Sequence, residues 1–238
     1  MPTDGFSKQK KVMSRSPKPP CTPETVREVL DSPAFAGCAL ARTASQQTVQ
    51  NLCSYLILLE KWNKVMNLVG PAGWQDMLVH LVADSFYLAA SISELDLPET
   101  PECRDLGAGA GLPGLPLRMI WQKGNYTLVE AREKRALFLS TCLAASPLPG
   151  VRIFQGRVER YFAETPWADL TVSRAFLPWE KVLELIDAFT RPGDFCLFLT
   201  HAPLPEALPF GWQARSSRAY GTGGGSCHDR HIWALQKS

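Results

Sequence analysis

Residues 105–114 read Asp-Leu-Gly-Ala-Gly-Ala-Gly-Leu-Pro-Gly, and this stretch decides the fold. It follows a short strand-like run, 102–106, and precedes a helix-like run, 112–121. Three alternating glycines leave almost no side-chain bulk on the turn. A ligand can therefore lie against the backbone and face free N–H groups at the start of a helix. The pattern predicts a strand–turn–helix unit that binds a ligand at its turn.

Glu130 indicates the kind of ligand. It ends the next strand-like run, 126–130. A carboxylate about 20 positions after a glycine turn is placed to accept hydrogen bonds from ribose hydroxyls. The turn and Glu130 together predict a pocket for an adenosine-containing cofactor. On the glycines alone, a surface turn without a ligand remains an alternative.

The glycine spacing favours S-adenosylmethionine over a dinucleotide. A dinucleotide fingerprint needs glycine at its first, third and sixth positions, and the sixth position counted from Gly107 is Leu112. S-adenosylmethionine has no pyrophosphate to place at the helix start. It carries a sulfonium and an ammonium cation, so an acidic residue such as Asp105 is tolerated beside the turn.

Composition excludes several classes of protein. The chain has 238 residues, 45% of them apolar, which predicts one domain of about 200 residues plus an appendage. No apolar run is long enough to cross a membrane, and no signal peptide follows the start. Seven scattered cysteines without a Cys-x-x-Cys pair predict free thiols in a reducing cytoplasm. Cys227, His228 and His231 resemble metal ligands in spacing, but no fourth ligand is near, so we predict no metal site.

The charge is distributed unevenly along the chain. Residues 1–20 carry five Lys and Arg against Asp4, a net charge of +4, so the remaining residues sum to −2 out of a total of +2. The folded part is therefore not a globally basic nucleic-acid binder, and any RNA site must be a local patch. Residues 1–21 are rich in Lys, Ser and Pro and are predicted to form a disordered basic tail.

Residues 22–100 are predicted to form a helical extension. Thr22 followed by Pro and Glu is a helix start. A capping-box pattern that begins at Thr43 precedes a long amphipathic helix, and Asn67 is a plausible C-cap for it. A second helix is predicted over about 74–92.

Residues 101–238 alternate between strands and helices, which implies an α/β fold with a Rossmann-like parallel sheet covered on both faces. The predicted strands are 102–106, 126–130, 151–155, 168–172, 194–200, 212–220 and 230–236, and the predicted helices are 112–121, 131–145 and 178–189.

Ligands of such sheets bind at the carboxyl ends of the strands. The glycine turn, Glu130, residues 156–159 and residues 173–175 should therefore converge. We expect Val158 to pack on the adenine ring, and Glu159 or the backbone to accept a hydrogen bond from its amino group. A solvated charge pair at Arg157 and Glu159 is the alternative.

Arg174 lies just past the fourth predicted strand, beside the expected methyl donor. Its guanidinium is predicted to hold the methionine carboxylate or a substrate phosphate in a two-pronged contact, and a simple ion pair at the strand end is the alternative. His80 and Asp84 are four residues apart on one helical face. They could form a catalytic pair, but we favour a pair that fastens the helix in place.

Several short motifs occur in a fixed order. They are Lys-Trp-Asn-Lys-x-x-Asn-Leu (61–68), His-x-x-x-Asp-Ser (80–85), Asp-x-Gly-x-Gly-x-Gly-x-Pro-Gly (105–114), Lys-Arg-x-x-Phe-Leu (134–139), Arg-Val-Glu (157–159), Ser-Arg-Ala (173–175) and Arg-His (230–231). In this order and spacing, over about residues 45–236, the chain resembles the bacterial 16S ribosomal RNA guanine-N7 methyltransferases of the RsmG (GidB) type. The Pro-Gly extension of the glycine turn carries much of the resemblance.

The resemblance implies a class I S-adenosylmethionine-dependent methyltransferase fold with an N-terminal helical extension. It implies methylation of one guanine at N7 in the decoding-region loop of small-subunit rRNA. With the inference for Glu130, the candidate cofactor-binding residues are Gly107, Gly109, Leu112, Glu130, Val158, Glu159 and Arg174. Arg174 is also the candidate catalytic residue. The expected partner is 16S rRNA or the small subunit, and the protein is expected to be a cytoplasmic monomer that binds neither membrane nor metal.

The chain departs from the family pattern at three positions. Val79 stands where the family usually has Arg, and Thr200-His201 stand where it usually has Lys-Gly. These changes concern substrate contacts more than cofactor contacts. They leave open a non-catalytic RNA-binding or ribosome-assembly protein as the opposing hypothesis, and a small-molecule methyltransferase as a third.

Overall fold

The computed structural model describes residues 19–222 and 230–238. Residues 1–18, which hold most of the predicted tail, lie outside this range. Helices fill the chain before the first strand: α1 (Pro23–Leu30), α2 (Ala39–Arg42), α3 (Gln46–Met66), α4 (Trp74–Met77) and α5 (Ala83–Ile92). A short 3₁₀ turn, Pro33–Phe35, lies between α1 and α2.

The second part of the described chain forms a mixed sheet in the order β3-β2-β1-β4-β5-β7-β6. Its strands are β1 (Glu102–Leu106), β2 (Asn125–Glu130), β3 (Val151–Gln155), β4 (Leu170–Arg174), β5 (Phe195–Thr200), β6 (Trp212–Tyr220) and β7 (Arg230–Lys237). The first five strands are parallel, and β7 runs antiparallel to both β5 and β6. This arrangement confirms the predicted α/β, Rossmann-like fold. The strand order reverses between β1 and β4, which is where open sheets of this kind bind ligands.

Helices cross over between the parallel strands: α6 (Gly114–Ile120), α7 (Glu133–Ala145), α8 (Val158–Glu164) and α9 (Trp179–Ile186). The sequence reasoning did not predict α8, a seven-residue helix whose Tyr161 and Phe162 are buried. The fourth strand ends two residues later than predicted, at Arg174. It also begins two residues later, at Leu170. The Asp169 carboxylate accepts a hydrogen bond from the Glu102 amide at 2.7 Å, which holds Asp169 in the bend before the strand.

Local hydrogen bonds fix the ends of α3. Its N-cap is Ser45, whose hydroxyl accepts a hydrogen bond from the Thr48 amide at 3.1 Å. The predicted cap at Thr43 is wrong, because that hydroxyl donates to the Ala39 carbonyl of the preceding helix. Asn67 adopts the left-handed conformation, with φ 48°, which confirms it as the C-cap.

The helix predicted over 74–92 contains a π-helical stretch, Leu78–Val82, between α4 and α5. Such an insertion changes the face that the following residues present, and it is frequent at functional sites. Directly after it, Asp84 and Ser85 are buried, and α5 packs against α6 and β7. The π-helical stretch thus precedes two polar side chains buried beside the sheet.

Apolar residues cover both faces of the sheet. One core cluster joins the N-terminal helices to α6 and α7, and the other places α8 and α9 against the opposite face. None of the helices in the described ranges combines the length and the apolar character that a membrane crossing needs. The six described cysteines are free thiols.

Candidate active site

The glycine turn between β1 and α6 needs its glycines for two different reasons. Gly107, Gly109 and Gly111 have φ values of 71°, 59° and 77°, all in the left-handed region. A Cβ atom on Gly107 would lie 2.5 Å from a ring carbon of Phe176, whereas one on Gly109 would have its nearest neighbour, Arg135, at 3.7 Å. Gly107 is therefore required by space as well as by backbone geometry, and Gly109 by backbone geometry alone.

Buried side chains of the N-terminal helices anchor the glycine turn. The Tyr55 hydroxyl on α3 donates to the Ala110 carbonyl at 2.8 Å, and the Ser85 hydroxyl on α5 donates to the Pro113 carbonyl at 2.9 Å. These bonds join the helices before the sheet to the loop that carries the glycines.

Glu130 ends β2 with its side chain nearly covered, at 5% exposure. One carboxylate oxygen accepts the Gly109 amide at 2.8 Å, and the other accepts the Arg132 amide at 2.8 Å. Both bonds fix the orientation of the carboxylate. Because each oxygen keeps a second lone pair, the carboxylate can still accept hydroxyl hydrogens from a ligand.

A cavity of about 400 Å³, the glycine-turn pocket, opens beside this carboxylate. It is lined by Gly107, Val129, Glu130, Ala131, Arg132, Arg135, Gly156, Arg157, Val158, Glu159, Ala175 and Phe176. Four of the predicted cofactor-binding residues thus meet in one place. Gly109 lies outside the lining and acts through its amide on Glu130, while the side chain of Leu112 packs on the apolar core.

The glycine-turn pocket fits the adenosine part of S-adenosylmethionine. The free lone pairs of the Glu130 carboxylate can accept two hydroxyl hydrogens, and Val158 presents an apolar side chain to the cavity. The absence of a side chain at Gly107 lets Phe176, which also lines the pocket, lie against the turn, because a Cβ atom there would be 2.5 Å from its ring.

A second cavity, the arginine pocket, adjoins the first and has a volume of about 670 Å³. It is lined by Leu81, Asp84, Ser173, Arg174, Ala175, Leu177, Pro178, Trp179, Phe198, Leu199, Thr200, His201, Ala202, Tyr220 and Arg230. Ala175 lines both cavities and has a left-handed backbone, with φ 52°, which is uncommon for a residue with a side chain. The two pockets therefore meet at Ala175, and the next residue, Phe176, lines the glycine-turn pocket.

Asp84 organises the arginine pocket. One of its oxygens accepts the Tyr220 hydroxyl at 2.9 Å and the Arg230 guanidinium at 2.6 Å, and the other pairs with Arg174 at 3.1 Å. The Arg230 guanidinium also donates to the His80 carbonyl at 2.6 Å. Because two guanidinium groups share one carboxylate, the network carries a net charge of +1, which suits an anionic or electron-rich ligand. Burial raises the pKa of Tyr220, so its hydroxyl remains a neutral donor.

The predicted His80–Asp84 pair is wrong. The His80 side chain is exposed, and Asp84 is buried against two arginines that come from β4 and β7. Sequence spacing could not find these partners, because Arg230 lies 146 positions away from Asp84. Arg174 lies at the end of β4 and pairs with Asp84, which is the kind of ion pair considered above as the alternative to a ligand contact. Its side chain remains 20% exposed in the pocket.

Asp105 lies beneath the turn with 1% exposure. Burial raises the pKa of its carboxyl to about 7, against the lowering effects of Arg174 and of the Gly114 amide. A Cβ atom on Gly114 would lie 2.5 Å from this carboxyl. The Pro-Gly extension of the motif is therefore explained, since residue 114 must pass directly over Asp105.

The positions that depart from the family pattern lie in different places. Thr200 and His201 line the arginine pocket, whereas Val79 packs against the apolar core. Within residues 19–222 and 230–238, no three His, Cys, Asp or Glu side chains gather where they could hold a metal ion. Cys227 and His228 of the metal-like spacing lie outside the described residues.

Comparisons with known proteins agree on one family. A family model described as "GidB: rRNA small subunit methyltransferase G" matches residues 48–206. The chain is 50% identical to the ribosomal RNA small subunit methyltransferase G of Nitratidesulfovibrio vulgaris (strain DP4) over 188 aligned residues. The alignment covers 79% of this chain and 85% of that protein. The protein of the same name from Lawsonia intracellularis is 44% identical over 202 residues, or 84% of this chain and 91% of that one.

The chain belongs to the rRNA small subunit methyltransferase G family. The fold agrees with this membership, because the chain aligns with the crystal structure of an MtNAS variant in complex with S-adenosylmethionine at a TM-score of 0.54. That alignment covers 88% of each chain at 11% identity, so it bears on the fold alone.

Two of the family motifs meet only in three dimensions. The His-x-x-x-Asp-Ser motif supplies Asp84, and the Arg-His motif supplies Arg230, and both lie in the arginine pocket of this methyltransferase. From the sequence, Asp84 was weighed only as a partner of His80, and Arg230 was given no role of its own. The signal was present in the motifs, but their partners could not be assigned without the fold.

Proposed function

We propose that this methyltransferase transfers the methyl group of S-adenosylmethionine to N7 of one guanine in the decoding-region loop of 16S rRNA. The observation that carries the proposal is the contact of two pockets at Ala175. The glycine-turn pocket suits adenosine, and the arginine pocket suits a nucleotide. A methyl donor in the first pocket would face an acceptor in the second.

Residues of the glycine-turn pocket would bind and orient S-adenosylmethionine. When bound, S-adenosylmethionine supplies an electrophilic methyl group on a sulfonium centre. Glu130 would hold the ribose, and Val158 and Glu159 would contact the adenine. Gly107 would line the floor, and Gly109 would act through its amide, which orients Glu130. Arg174, on the far side of Ala175, is placed to orient the methionine carboxylate or the RNA backbone.

The acceptor chemistry matches the residues of the arginine pocket. Guanine N7 has an exposed lone pair and no proton to lose, so its methylation needs positioning rather than a general base. The buried carboxylate that lines this pocket, Asp84, is already paired with Arg174 and Arg230. Those guanidinium groups can donate to phosphate oxygens or to guanine O6.

We also propose roles for the two parts of the chain, a cellular location and an oligomeric state. The helical extension, residues 22–100, would hold the glycine turn of the methyltransferase domain, residues 101–238, which the Tyr55 and Ser85 hydrogen bonds support. The protein would act in the cytoplasm as a monomer on 16S rRNA or the small subunit. Both pockets are lined by one chain, so a second copy is not needed to complete the site.

The test is methylation in vitro with labelled S-adenosylmethionine. Naked 16S rRNA and isolated small subunits from a strain lacking this gene would serve as substrates, and digested nucleosides would be identified by mass spectrometry. We expect label in N7-methylguanosine at one site. Label in another nucleoside, or binding of RNA without transfer to either substrate, would refute the proposal, and the second result would favour the assembly-protein hypothesis.

A further inference from the structure

An apolar cleft with a basic rim lies between the end of α3 and the start of α7. Its volume is about 450 Å³, and we call it the lysine cleft. It is lined by Lys61, Trp62, Val65, Met66, Lys134 and Leu137. Val65 is 84% exposed and Leu137 is 57% exposed, so the cleft displays apolar surface that folding leaves uncovered.

The motif at 61–68 is only partly explained by the fold. The Asn63 amide donates to the Pro71 carbonyl at 3.0 Å and accepts the Val69 amide at 2.8 Å, which fixes the loop after α3. The Trp62 ring packs at 5.6 Å from the Phe138 ring. Lys61 and Lys64, in contrast, are exposed and form no ion pair with the part of the chain that the structure describes.

Unpaired cations gather at this end of the molecule. Elsewhere in the described ranges, most Lys and Arg side chains pair with a carboxylate or donate to a carbonyl, as Arg104 and Arg118 do in the interior. Apart from Arg42 and Lys123, which lie elsewhere, the side chains with neither kind of partner among the described residues cluster here: Lys61, Lys64, Arg132, Lys134, Arg135 and Arg157. Because residues 21–238 sum to a charge of −2, this cluster is a local excess of positive charge.

The lysine cleft and the glycine-turn pocket are both lined by residues at the start of α7. Arg132 and Arg135 line that pocket, and Lys134 and Leu137 of the same first turns of α7 line the cleft. On the other side, α3 touches the glycine turn through Tyr55. An extended ligand could therefore run from the cleft to the pocket along one basic surface.

We propose that the lysine cleft binds the RNA substrate outside the reacting nucleotide. Lys61, Lys64 and Lys134 would contact backbone phosphates, and one unstacked base would enter the apolar cleft against Val65 and Leu137. Proteins bind single-stranded RNA with cations along its backbone and with aromatic rings against its bases, and Trp62 is the aromatic residue that lines this cleft. The proposal rests on the function proposed above, since it takes small-subunit rRNA as the ligand.

Charge-neutral substitutions test the phosphate contacts. The variant Lys61→Gln/Lys134→Gln removes two unpaired cations from the rim, and Arg42→Gln/Lys123→Gln removes two exposed, unpaired cations located elsewhere. Binding of a fluorescent fragment of the decoding region would be measured at several salt concentrations. The slope of log K against log[salt] is negative, and the first variant should make it less steep by about 1.4, because each phosphate contact to single-stranded RNA contributes about 0.7 to its magnitude. The control variant should keep the wild-type slope.

A second pair of variants tests the apolar cleft. Val65→Asp places a negative charge in the cleft at an exposed position, and Phe210→Asp makes the same change at a fully exposed residue outside it. We expect severalfold weaker RNA binding for Val65→Asp alone. Calorimetry should give wild-type affinity for S-adenosylmethionine in all four variants, because none of the substituted residues lines the glycine-turn pocket.

Two results would overturn the proposal. In the first, the cleft variants bind the RNA fragment with wild-type affinity and salt slope. In the second, they bind and methylate naked 16S rRNA normally but lose methylation of assembled subunits, which would assign the cleft to a ribosomal protein. A wild-type protein that binds the fragment but methylates no rRNA would instead refute the proposed function, so the two failures are distinguishable.

Discussion

The two pockets that meet at Ala175 are built in opposite ways. Backbone groups shape the glycine-turn pocket, since Gly107 lines it without a side chain and the main-chain amides of Gly109 and Arg132 hold Glu130 in place. Side chains shape the arginine pocket, where one carboxylate on α5 joins arginines from β4 and β7. The first pocket comes from residues close together in sequence, and the second from residues that only the fold brings together.

This difference predicts different responses to substitution. The first pocket leaves no room for a side chain at Gly107, so changes there should act mainly on cofactor binding. A pocket made of a shared ion pair can lose one member and keep its shape, so changes there should act mainly on methyl transfer.

The largest effect is expected for Gly107→Arg, which should abolish binding of S-adenosylmethionine. Its first side-chain atom would collide with Phe176 at 2.5 Å, and φ 71° adds backbone strain. Gly109→Ala is the matched control, because its Cβ atom has 3.7 Å of clearance and meets backbone strain alone. Calorimetry on both variants, with circular dichroism to check folding, measures the contrast. Equal loss in the two would mean that backbone strain, rather than space, closes the pocket.

Arg174→Ala should reduce single-turnover methyl transfer by about 100-fold, the size of effect expected when a reacting group is misplaced. Cofactor affinity should change less than transfer, and the protein should stay folded, because Asp84 keeps Arg230 and Tyr220 as partners. Arg174→Lys should recover part of the rate, since a point charge cannot reproduce a planar two-pronged contact. Wild-type rates in the alanine variant, on both naked 16S rRNA and small subunits, would remove Arg174 from the active site.

Glu130→Ala should weaken cofactor binding by about 1–3 kcal/mol, the range for losing a charged hydrogen-bond acceptor. Glu130→Gln should bind the cofactor as weakly as Glu130→Ala. Each carboxylate oxygen accepts a main-chain N–H group, but glutamine has only one acceptor oxygen, so its NH2 group would face the second N–H group. Glu133→Ala, an exposed carboxylate three residues further on, is the control. Calorimetry that finds a wild-type affinity for Glu130→Gln would show that one acceptor oxygen is sufficient.

The smallest effect concerns the carboxyl of Asp105. Beyond the effect of burial, the charge of Glu130 in one pocket raises its pKa, and the charge of Arg174 in the other lowers it. Its pKa is raised from 3.8 to about 7 by burial, so the folded state holds a proton that the unfolded state releases. The free energy of unfolding should therefore fall as the pH rises from about 4 to about 7. Asp105→Asn should flatten that dependence in urea titrations across this range. Identical pH profiles for the two proteins would contradict the raised pKa.

The same contrast explains what the sequence could predict. The strands, the glycine turn and the position of Glu130 follow from patterns within about 30 residues, and the parallel sheet then brings their carboxyl ends together. Asp84 could not be assigned its partners, because Tyr220 and Arg230 are 136 and 146 positions away. The predicted pairing of His80 with Asp84 is wrong because the π-helical stretch, Leu78–Val82, contains His80 and ends just before Asp84. The spacing rule for an α-helix does not hold across such a stretch.

The most direct test of the central claim is mass spectrometry of 16S rRNA nucleosides from a strain that lacks this gene. The proposed function predicts the loss of one N7-methylguanosine, its return with the wild-type gene, no return with Gly107→Arg and a reduced return with Arg174→Ala. The first variant tests the glycine-turn pocket and the second tests the arginine pocket. An unchanged nucleoside profile in the deletion strain would contradict the claim that this protein methylates guanine N7 in that RNA.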